Sequence, residues 1–341
     1  MSKVHPPPRR TKKSPVARIE DGWDLRRVSG LTILRAGIFD AVPWVVHGFS
    51  TRPGGRSIWD GTGVLNLGFT DWDARETVTQ NREQFVDAIS RLHSGGKSPA
   101  SRIPTKSLVV LQQVHSDIVH VFRQAPARPP RGDAVICGRA GLLLGIQTAD
   151  CVPILFADTR RQVVAAVHAG WRGTLARIAA KSLGQMRLEF GTKPEDVVAA
   201  LGPAIGPCCY EVGPEVAQAF AAQFSAAGEW FDGPFERLST AEEPNPLPWL
   251  TMMPPGREPP PERVRLDLRA ANRWQLVDAG VAPANIAVSG LCTSCRSDLF
   301  FSYRKQGAAT GRMLSVVGIC ANAVRPRAKP RRSPTPSIPL R

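Results

Sequence analysis

Two residues set the chemistry that this 341-residue chain can do. Cys151 opens the apolar run Cys151 to Ala157, and His168 closes the run Gln162 to His168. Between them lies the polar turn Asp158-Thr159-Arg160-Arg161. A hairpin loop of these four residues, closed by Ala157 opposite Gln162, sets Cys151 directly opposite His168. Directly opposed residues have Cβ atoms about 5 Å apart, a spacing suited to two ligands of one metal. Thiolate beside imidazole suits zinc, and copper less well. The same pair could instead be a cysteine nucleophile and its histidine base, acting on an amide.

Beyond His168 comes Ala169-Gly170-Trp171-Arg172-Gly173, then apolar residues Leu175, Ile178, Ala179, Leu183 and Met186 at helical spacing. The pattern predicts a helix from Thr174, as N-cap, to about Phe190, with Gly191 at the stop. A glycine-flanked helix start offers free N–H groups to an anion, and Arg172 would add to that. His115 falls in a tight connection between the expected strands Ser107 to Leu111 and Ile118 to Phe122.

The elements that must position these residues are short. Further strands are expected at Leu31 to Phe39, Val45 to Phe49, Asp133 to Cys137, Val197 to Leu201, Ile286 to Ser289, Phe300 to Arg304 and Arg312 to Ile319. Helices are expected at Thr77 to Leu92, Pro214 to Phe224 and Asp267 to Gly280. Hairpins with helices interspersed favour a single-domain, mixed α/β sandwich with largely antiparallel strands over a doubly wound sheet. No Gly-x-Gly-x-x-Gly opens a helix and no Walker loop occurs, which argues against dinucleotide and P-loop sites.

The formal charge of +15 is not spread over the fold. Residues 1–19 and 322–341 each carry six Lys or Arg and no acid, which leaves +3 for the rest. We therefore expect basic, Pro-rich disordered tails at 1–25 and 322–341 around a catalytic domain at 26–321, with a Pro-rich surface insertion at about 231–262. Tails of this kind bind polyanions weakly, and nothing points to specific nucleic-acid recognition. No signal-peptide pattern or long apolar run is present, and seven Cys is an odd number. The expectation is a cytoplasmic protein with free or metal-bound thiols and no membrane partner.

Several motifs stand together in a specific order: Gln113-Val114-His115-Ser116, Thr148 to Pro153, His168 to Thr174, Gly202 to Glu211 and Cys292 to Arg304. Over about residues 30–320 the chain resembles the YfiH family, also labelled multicopper polyphenol oxidoreductase (laccase) and peptidoglycan editing factor, labels that imply as alternatives a copper-dependent polyphenol oxidase and a cysteine-type amide hydrolase editing peptidoglycan precursors. That resemblance implies the family's α/β sandwich. It implies a zinc site on His115, Cys151 and His168, which would also be the catalytic residues. It implies phosphorolysis of adenosine, inosine and methylthioadenosine, and hydrolytic deamination of adenosine, with purine nucleosides and phosphate as partners. Three protein ligands would leave the fourth position open, as catalytic zinc requires. The tails, the loop at 94–104 and the Pro-rich insertion depart from the family pattern.

The laccase label sits poorly with composition. A blue multicopper site needs many histidines, several as His-x-His, whereas this chain has His5, His47, His93, His115, His120 and His168 and no such pair. Arg52, Arg172 and Arg304 are candidate phosphate or ribose contacts. Gln113 and Asn66 are candidates for base recognition, and Glu211 and Asp150 for acid–base work. Asp150 precedes Cys151 and should face away from it, orienting a ligand from behind. Cys292-x-x-Cys295 is half a zinc site or a redox pair. Cys208-Cys209, being adjacent, is a poor chelate for one ion, so these four are expected to be structural or pocket-lining thiols.

Overall fold

The computed structural model describes residues 16–94, 104–233 and 264–320. The chain begins with β1 (Val16–Glu20), β2 (Trp23–Val28), β3 (Leu31–Ala36) and β4 (Val45–Ser50). A small hairpin follows, β5 (Pro53–Trp59) and β6 (Thr62–Val64), then helix α1 (Arg75–Ser94). Next are β7 (Leu108–Val110), β8 (Val119–Val121), β9 (Ala134–Cys137), β10 (Leu143–Thr148), β11 (Val152–Asp158) and β12 (Val163–Ala169). Helices α2 (Trp171–Leu175) and α3 (Ile178–Phe190) lead to β13 (Val197–Leu201), β14 (Glu211–Val212) and α4 (Pro214–Gln223). The chain closes with β15 (Phe231–Asp232), β16 (Val264–Leu266), α5 (Leu268–Asp278), β17 (Ile286–Val288), α6 (Tyr303–Gln306) and β18 (Met313–Ile319).

Two large sheets stack face to face. One has the order β1-β2-β3-β4-β18-β10-β7, the other β17-β13-β11-β12-β9-β8. Side-chain alternation assigns the layers. On β11, Leu155 and Ala157 join Leu144, Ile146, Phe49 and Val317 between the sheets. Val152, Ile154 and Phe156 face outward, onto Leu183 and Met186 of α3, Phe220 of α4 and Leu276 of α5. On β18, Leu314 and Val316 face outward, onto Phe85 and Ile89 of α1. The result is the expected mixed α/β sandwich, four layers deep: helix, sheet, sheet, helices. Most strand pairs are antiparallel; β7–β10, β8–β9 and β13–β17 are parallel.

The sequence boundaries need correction at three places. Val16–Glu20 and Trp23–Val28 pair as a hairpin within the larger sheet, so the tail expected over 1–25 is structured from residue 16. The run Phe300 to Arg304 is not a strand; it leads into α6, because the Ser302 side chain accepts the Lys305 amide and Gln306 Oε1 accepts the Ser302 amide. The helix expected over 174–190 starts earlier and breaks. Its α2 portion begins at Trp171, and Arg177 takes φ 60° before α3 resumes. Most of the basic tails, the 95–103 loop and residues 234–263 of the insertion lie outside the described residues. Among the described residues, no helix is long and apolar enough to cross a membrane.

Candidate active site

The chain crosses from the larger sheet to the smaller one twice, after β7 and after β10. These two strands are parallel neighbours, Leu108 opposite Leu143, so both crossings leave the same edge of the sandwich. His115 sits on the first crossing and Asp150-Cys151 on the second. Gln113 binds them together: its Nε2 donates to the Gln147 carbonyl (2.7 Å) and its Oε1 accepts the Gln147 amide (2.8 Å). The candidate base reader thus has its amide committed to the backbone. The bends are sharp, with φ 59° at His115 and 98° at Asp150, values unusual for residues other than glycine.

The hairpin register differs from the one expected. Asp158 pairs with Val163, so the loop is Thr159 to Gln162, and His168 stands opposite Pro153. Asp158 stays in the ladder because its Oδ1 accepts the Arg160 and Arg161 amides (both 2.9 Å), while Gln162 takes φ 54°. Cys151 therefore precedes the strand instead of facing His168. Its sulfur nonetheless lies 3.9 Å from His115 Nε2, and the His115 and His168 ring centroids are 4.9 Å apart. One donor atom from each of His115, Cys151 and His168 falls within 4.8 Å of the others, a group able to hold a metal. Gly170 makes this convergence possible: a Cβ there would lie 3.0 Å from His115 Cδ2 and 3.1 Å from Cys151 Sγ.

Behind the group stands Asp133, a fully buried carboxylate just ahead of β9. Its Oδ1 accepts His168 Nδ1–H (2.8 Å) and the His115 amide (3.0 Å). Its Oδ2 accepts the amides of Val114 (3.3 Å) and Ser116 (2.6 Å) and the Ser116 hydroxyl (2.6 Å). An acidic residue just ahead of the apolar run Ala134 to Cys137 was the available signal. Burial alone would raise its pKa, but the bonds from His168 and Ser116 hold the carboxyl well below the ordinary range. Burial likewise works against the Cys151 thiolate, yet the charge of His168 and the contacts with His115 and His168 bring it down to about 6. His168 is raised to about 9 against its own burial, by Cys151 and Asp133. Each group thus favours the charged form of the other, thiolate beside imidazolium.

This group forms one wall of a cavity of about 790 Å³, a volume suited to a nucleoside-sized ligand. Phe69, Trp171, Tyr210 and Tyr303 supply aromatic faces, and Arg304 and Arg312 supply positive charge. Arg304 lies over the Tyr210 ring at 5.3 Å. Asp150 also lines the cavity. It accepts the Thr293 hydroxyl (2.6 Å) and the Arg304 amide (2.7 Å), so it anchors the Arg304 segment and does not contact the histidines. Trp171 and Tyr210 lie within the motif stretches His168 to Thr174 and Gly202 to Glu211, whereas Arg312 lies outside every motif.

The other candidates lie apart. Arg52 donates to the Ser297 carbonyl (3.0 Å) and packs over Phe301. Asn66 is fully buried and bridges Gly68, Asp73 and the Arg312 amide. Glu211 pairs across the ladder from Arg265, and Arg172 lies over the Trp171 ring; neither lines the cavity. Since α2 has only five residues, little macrodipole accumulates to support the anion site expected at its start. Of the remaining described histidines, His47 is buried and accepts the Ala36 amide, His120 Nε2 contacts the Arg131 carbonyl, and His93 lies in the last turn of α1. Among the described residues none of these three joins a metal-holding group.

Comparison with known proteins follows the same lines. A family model described as "Multi-copper polyphenol oxidoreductase laccase" matches residues 46–320. Purine nucleoside phosphorylase YlmD of Geobacillus stearothermophilus is 34% identical over 282 residues, spanning 80% of this chain and 89% of that protein. Adenosine deaminase RL5, from an unknown prokaryotic organism, is 38% identical over 181 residues, 53% of this chain and 59% of that protein. Among solved structures, YfiH of Bacillus licheniformis superposes with a TM-score of 0.67 at 29% identity, covering 88% of this chain and all of that one. The chain belongs to this laccase-described family of YfiH- and YlmD-type purine nucleoside phosphorylases, and is an enzyme of that family.

Proposed function

We propose that this enzyme is zinc-dependent, that it cleaves adenosine, inosine and methylthioadenosine by phosphorolysis, and that it deaminates adenosine with water. The observation that carries the reading is the convergence of His115, Cys151 and His168 on the wall of an aromatic, arginine-bearing cavity. The donor set fits zinc. One thiolate and two imidazoles are borderline-soft ligands. His168 donates a hydrogen bond from Nδ1–H to Asp133, which leaves Nε2 free to ligate, the arrangement that carboxylates behind metal-binding histidines impose. Gly170 keeps the space between His115 and Cys151 clear. When bound, zinc supplies Lewis-acid polarisation and makes water nucleophilic at neutral pH.

The remaining work falls to the chain's own residues. In deamination, water adds at C6 of adenine and ammonia leaves; Trp171 and Tyr210 offer faces on which the purine can stack. In phosphorolysis, phosphate attacks C1′, the C1′–N9 bond breaks and the base leaves carrying a proton. Arg304 and Arg312 are the cavity's cations for that phosphate, and Asp150 holds the Arg304 backbone in place. The test is product analysis on adenosine with and without phosphate. Adenine with ribose 1-phosphate in one case, inosine with ammonia in the other, and loss of both in His115→Ala are expected. Turnover that persists in His115→Ala after chelation would refute the zinc reading.

One observation favours a second reading: Cys151, His168 and Asp133 form a thiolate–imidazolium–carboxylate series that would serve a cysteine-type amide hydrolase. Rapid alkylation of Cys151 in protein free of zinc, with amide cleavage and no nucleoside turnover, would select it. A copper polyphenol oxidase finds no support in the donor set, which holds two histidines.

A further inference from the structure

A second group of soft donors lies outside the site just described. Cys208, Cys209, Cys292 and Cys295 each bring a sulfur within 4.8 Å of the other three. Cys295 Sγ is 3.6 Å from Cys208 Sγ and 3.4 Å from Cys209 Sγ. Four sulfurs at 2.3 Å around a tetrahedral zinc would stand about 3.8 Å apart, so a small adjustment closes the set. Adjacent cysteines such as Cys208 and Cys209 are a poor chelate in extended chain, where neighbouring residues point to opposite faces. Here Cys208 and Cys209 lie in a tight turn, in which the Cys209 and Tyr210 amides both donate to the Gly206 carbonyl (2.9 and 3.0 Å). The turn brings both thiols to one side. Parallel pairing of Ala204 with Cys292, and the Thr293 amide donating to the Ala204 carbonyl (3.1 Å), set the two segments side by side.

The surroundings suit charged thiolates. The Gly206 amide donates to Cys292 Sγ (3.2 Å), and the backbone amides of Ser294 and Cys295 also bond to that sulfur. Amides two and three residues on, aimed back at the first cysteine of a Cys-x-x-Cys, spread the negative charge of a metal thiolate. Arg269 approaches Gly206 closely, its Nη2 3.0 Å from where a Cβ would be. Lys305 Nζ reaches the Ser294 carbonyl (3.4 Å). Cations thus flank a group that would carry net negative charge when metal-bound.

We propose that Cys208, Cys209, Cys292 and Cys295 hold a second zinc ion, in a closed tetrathiolate site that is structural and separate from His115, Cys151 and His168. With four protein ligands there is no open position for substrate. Its effect is to tie the Gly202–Glu211 segment to the Cys292–Asp298 segment. The first carries Tyr210, and the second carries Thr293, whose hydroxyl bonds Asp150. The ion therefore fixes two parts of the cavity wall without touching the reaction. The four thiols lose their protons on binding, and the affinity rises with pH accordingly.

The test is metal content of the full chain, purified with zinc and without metal-stripping chelators. Wild type is expected to hold about two zinc ions per chain, one per donor set. Cys292→Ser/Cys295→Ser should keep about one, held by the histidine-containing group, and His115→Ala/His168→Ala should keep about one, held by the cysteines. The two proposals fail separately: zinc lost only with the histidine variant overturns the tetrathiolate site, and zinc lost only with the cysteine variant overturns the zinc reading of the active site. Should the cysteine variant not fold, wild type reconstituted with cobalt keeps the question decidable. Charge-transfer absorption equivalent to about five cobalt–thiolate bonds, four plus one, is expected, and about one overturns the inference. Alkylation in denaturant should then modify all seven cysteines; protection of four as disulfides would also overturn it.

Discussion

Asp133→Asn keeps the shape of the residue behind the histidines and reverses half of its hydrogen-bonding sense. The carboxylate accepts five bonds and donates none. An amide must turn its NH2 toward one set of donors. Toward Oδ1 it faces the His115 amide and His168 Nδ1–H. His168 escapes the conflict only by moving its proton to Nε2, the atom required for zinc. Toward Oδ2 it faces two backbone amides and the Ser116 hydroxyl, and only the hydroxyl can rotate to accept. Either way one or two buried N–H groups lose their acceptor, at about 1–3 kcal/mol each. A loss of roughly 3 kcal/mol in folding stability follows.

Function should suffer in proportion to the wrong tautomer. Carboxylates behind metal ligands are typically worth about 10–100-fold in affinity or activity, and this one also positions His115, so the upper end is expected. The assay pairs zinc competition against a chromogenic chelator with kcat/KM on adenosine, and thermal melts establish that the variant is folded. Ser116→Ala is the control. It removes two hydroxyl bonds, the one given to Asp133 and the one accepted from the Ile118 amide, about 1 kcal/mol each, and leaves the His168–Asp133 contact alone, so zinc affinity should stay within about twofold. A folded Asp133→Asn protein with zinc affinity and kcat/KM within about threefold of wild type would refute the reasoning, because a tautomer shift at a ligand cannot be that mild.

Gly170→Ala fits its φ of −76° but sets a Cβ against His115 and Cys151, so a tenfold or greater fall in kcat/KM is expected, on the order of what misplacement of reacting groups causes; its melting curve should barely move, and an active variant would show that the histidine and thiol do not need their spacing. Arg304→Gln with Arg312→Gln should depress phosphorolysis far more than deamination, read as the ratio of adenine to inosine formed in phosphate buffer; an unchanged ratio would remove both residues from phosphate binding. His47 is buried neutral and its pKa is lowered to about 3 from 6.5, by burial first and by Arg35 next. The unfolded chain takes up that proton near pH 6.5 and the folded one does not until about 3, so stability falls as pH drops across this window, by up to about 1.4 kcal/mol per pH unit. His47→Gln, which retains an acceptor for the Ala36 amide, should flatten that part of the stability-against-pH curve; an unchanged slope would place the acid sensitivity elsewhere.

The layers were legible because buried strands announce themselves as short apolar runs, and β11, β12, β13 and β18 all fall where such runs stand. The break between α2 and α3 was not. Leu175, Ile178 and Ala179 keep helical spacing straight through it, and its cause is tertiary. Gln275 Nε2 of α5 donates to the Thr174 carbonyl (2.7 Å), and Asn272 Nδ2 to the Thr174 hydroxyl (2.9 Å). A carbonyl engaged from a residue a hundred positions away cannot be read from its neighbours. The same holds for Asp133, whose partners come from another loop and another strand, and for the four cysteines, whose segments meet only through the Ala204–Cys292 pairing.

The hairpin shows why a wrong register can still point toward the right group. The expected pairing differs from the observed one by two residues in its sum, an even step, and a strand's side chains repeat every two residues. An odd slip would have turned one partner to the opposite face. The even one preserves which side each residue faces and moves only the distance along the strand. That distance is then made up outside the ladder. Asp150, in its left-handed conformation, turns Cys151 back toward His168, and glycine at 170 leaves room for the sulfur beside His115. What draws the group together is therefore not strand pairing but two strained crossings at one edge of the sandwich, held there by Gln113 on one side and Asp133 on the other. Substitutions at those two anchors should disturb the group more than substitutions anywhere along β11 or β12.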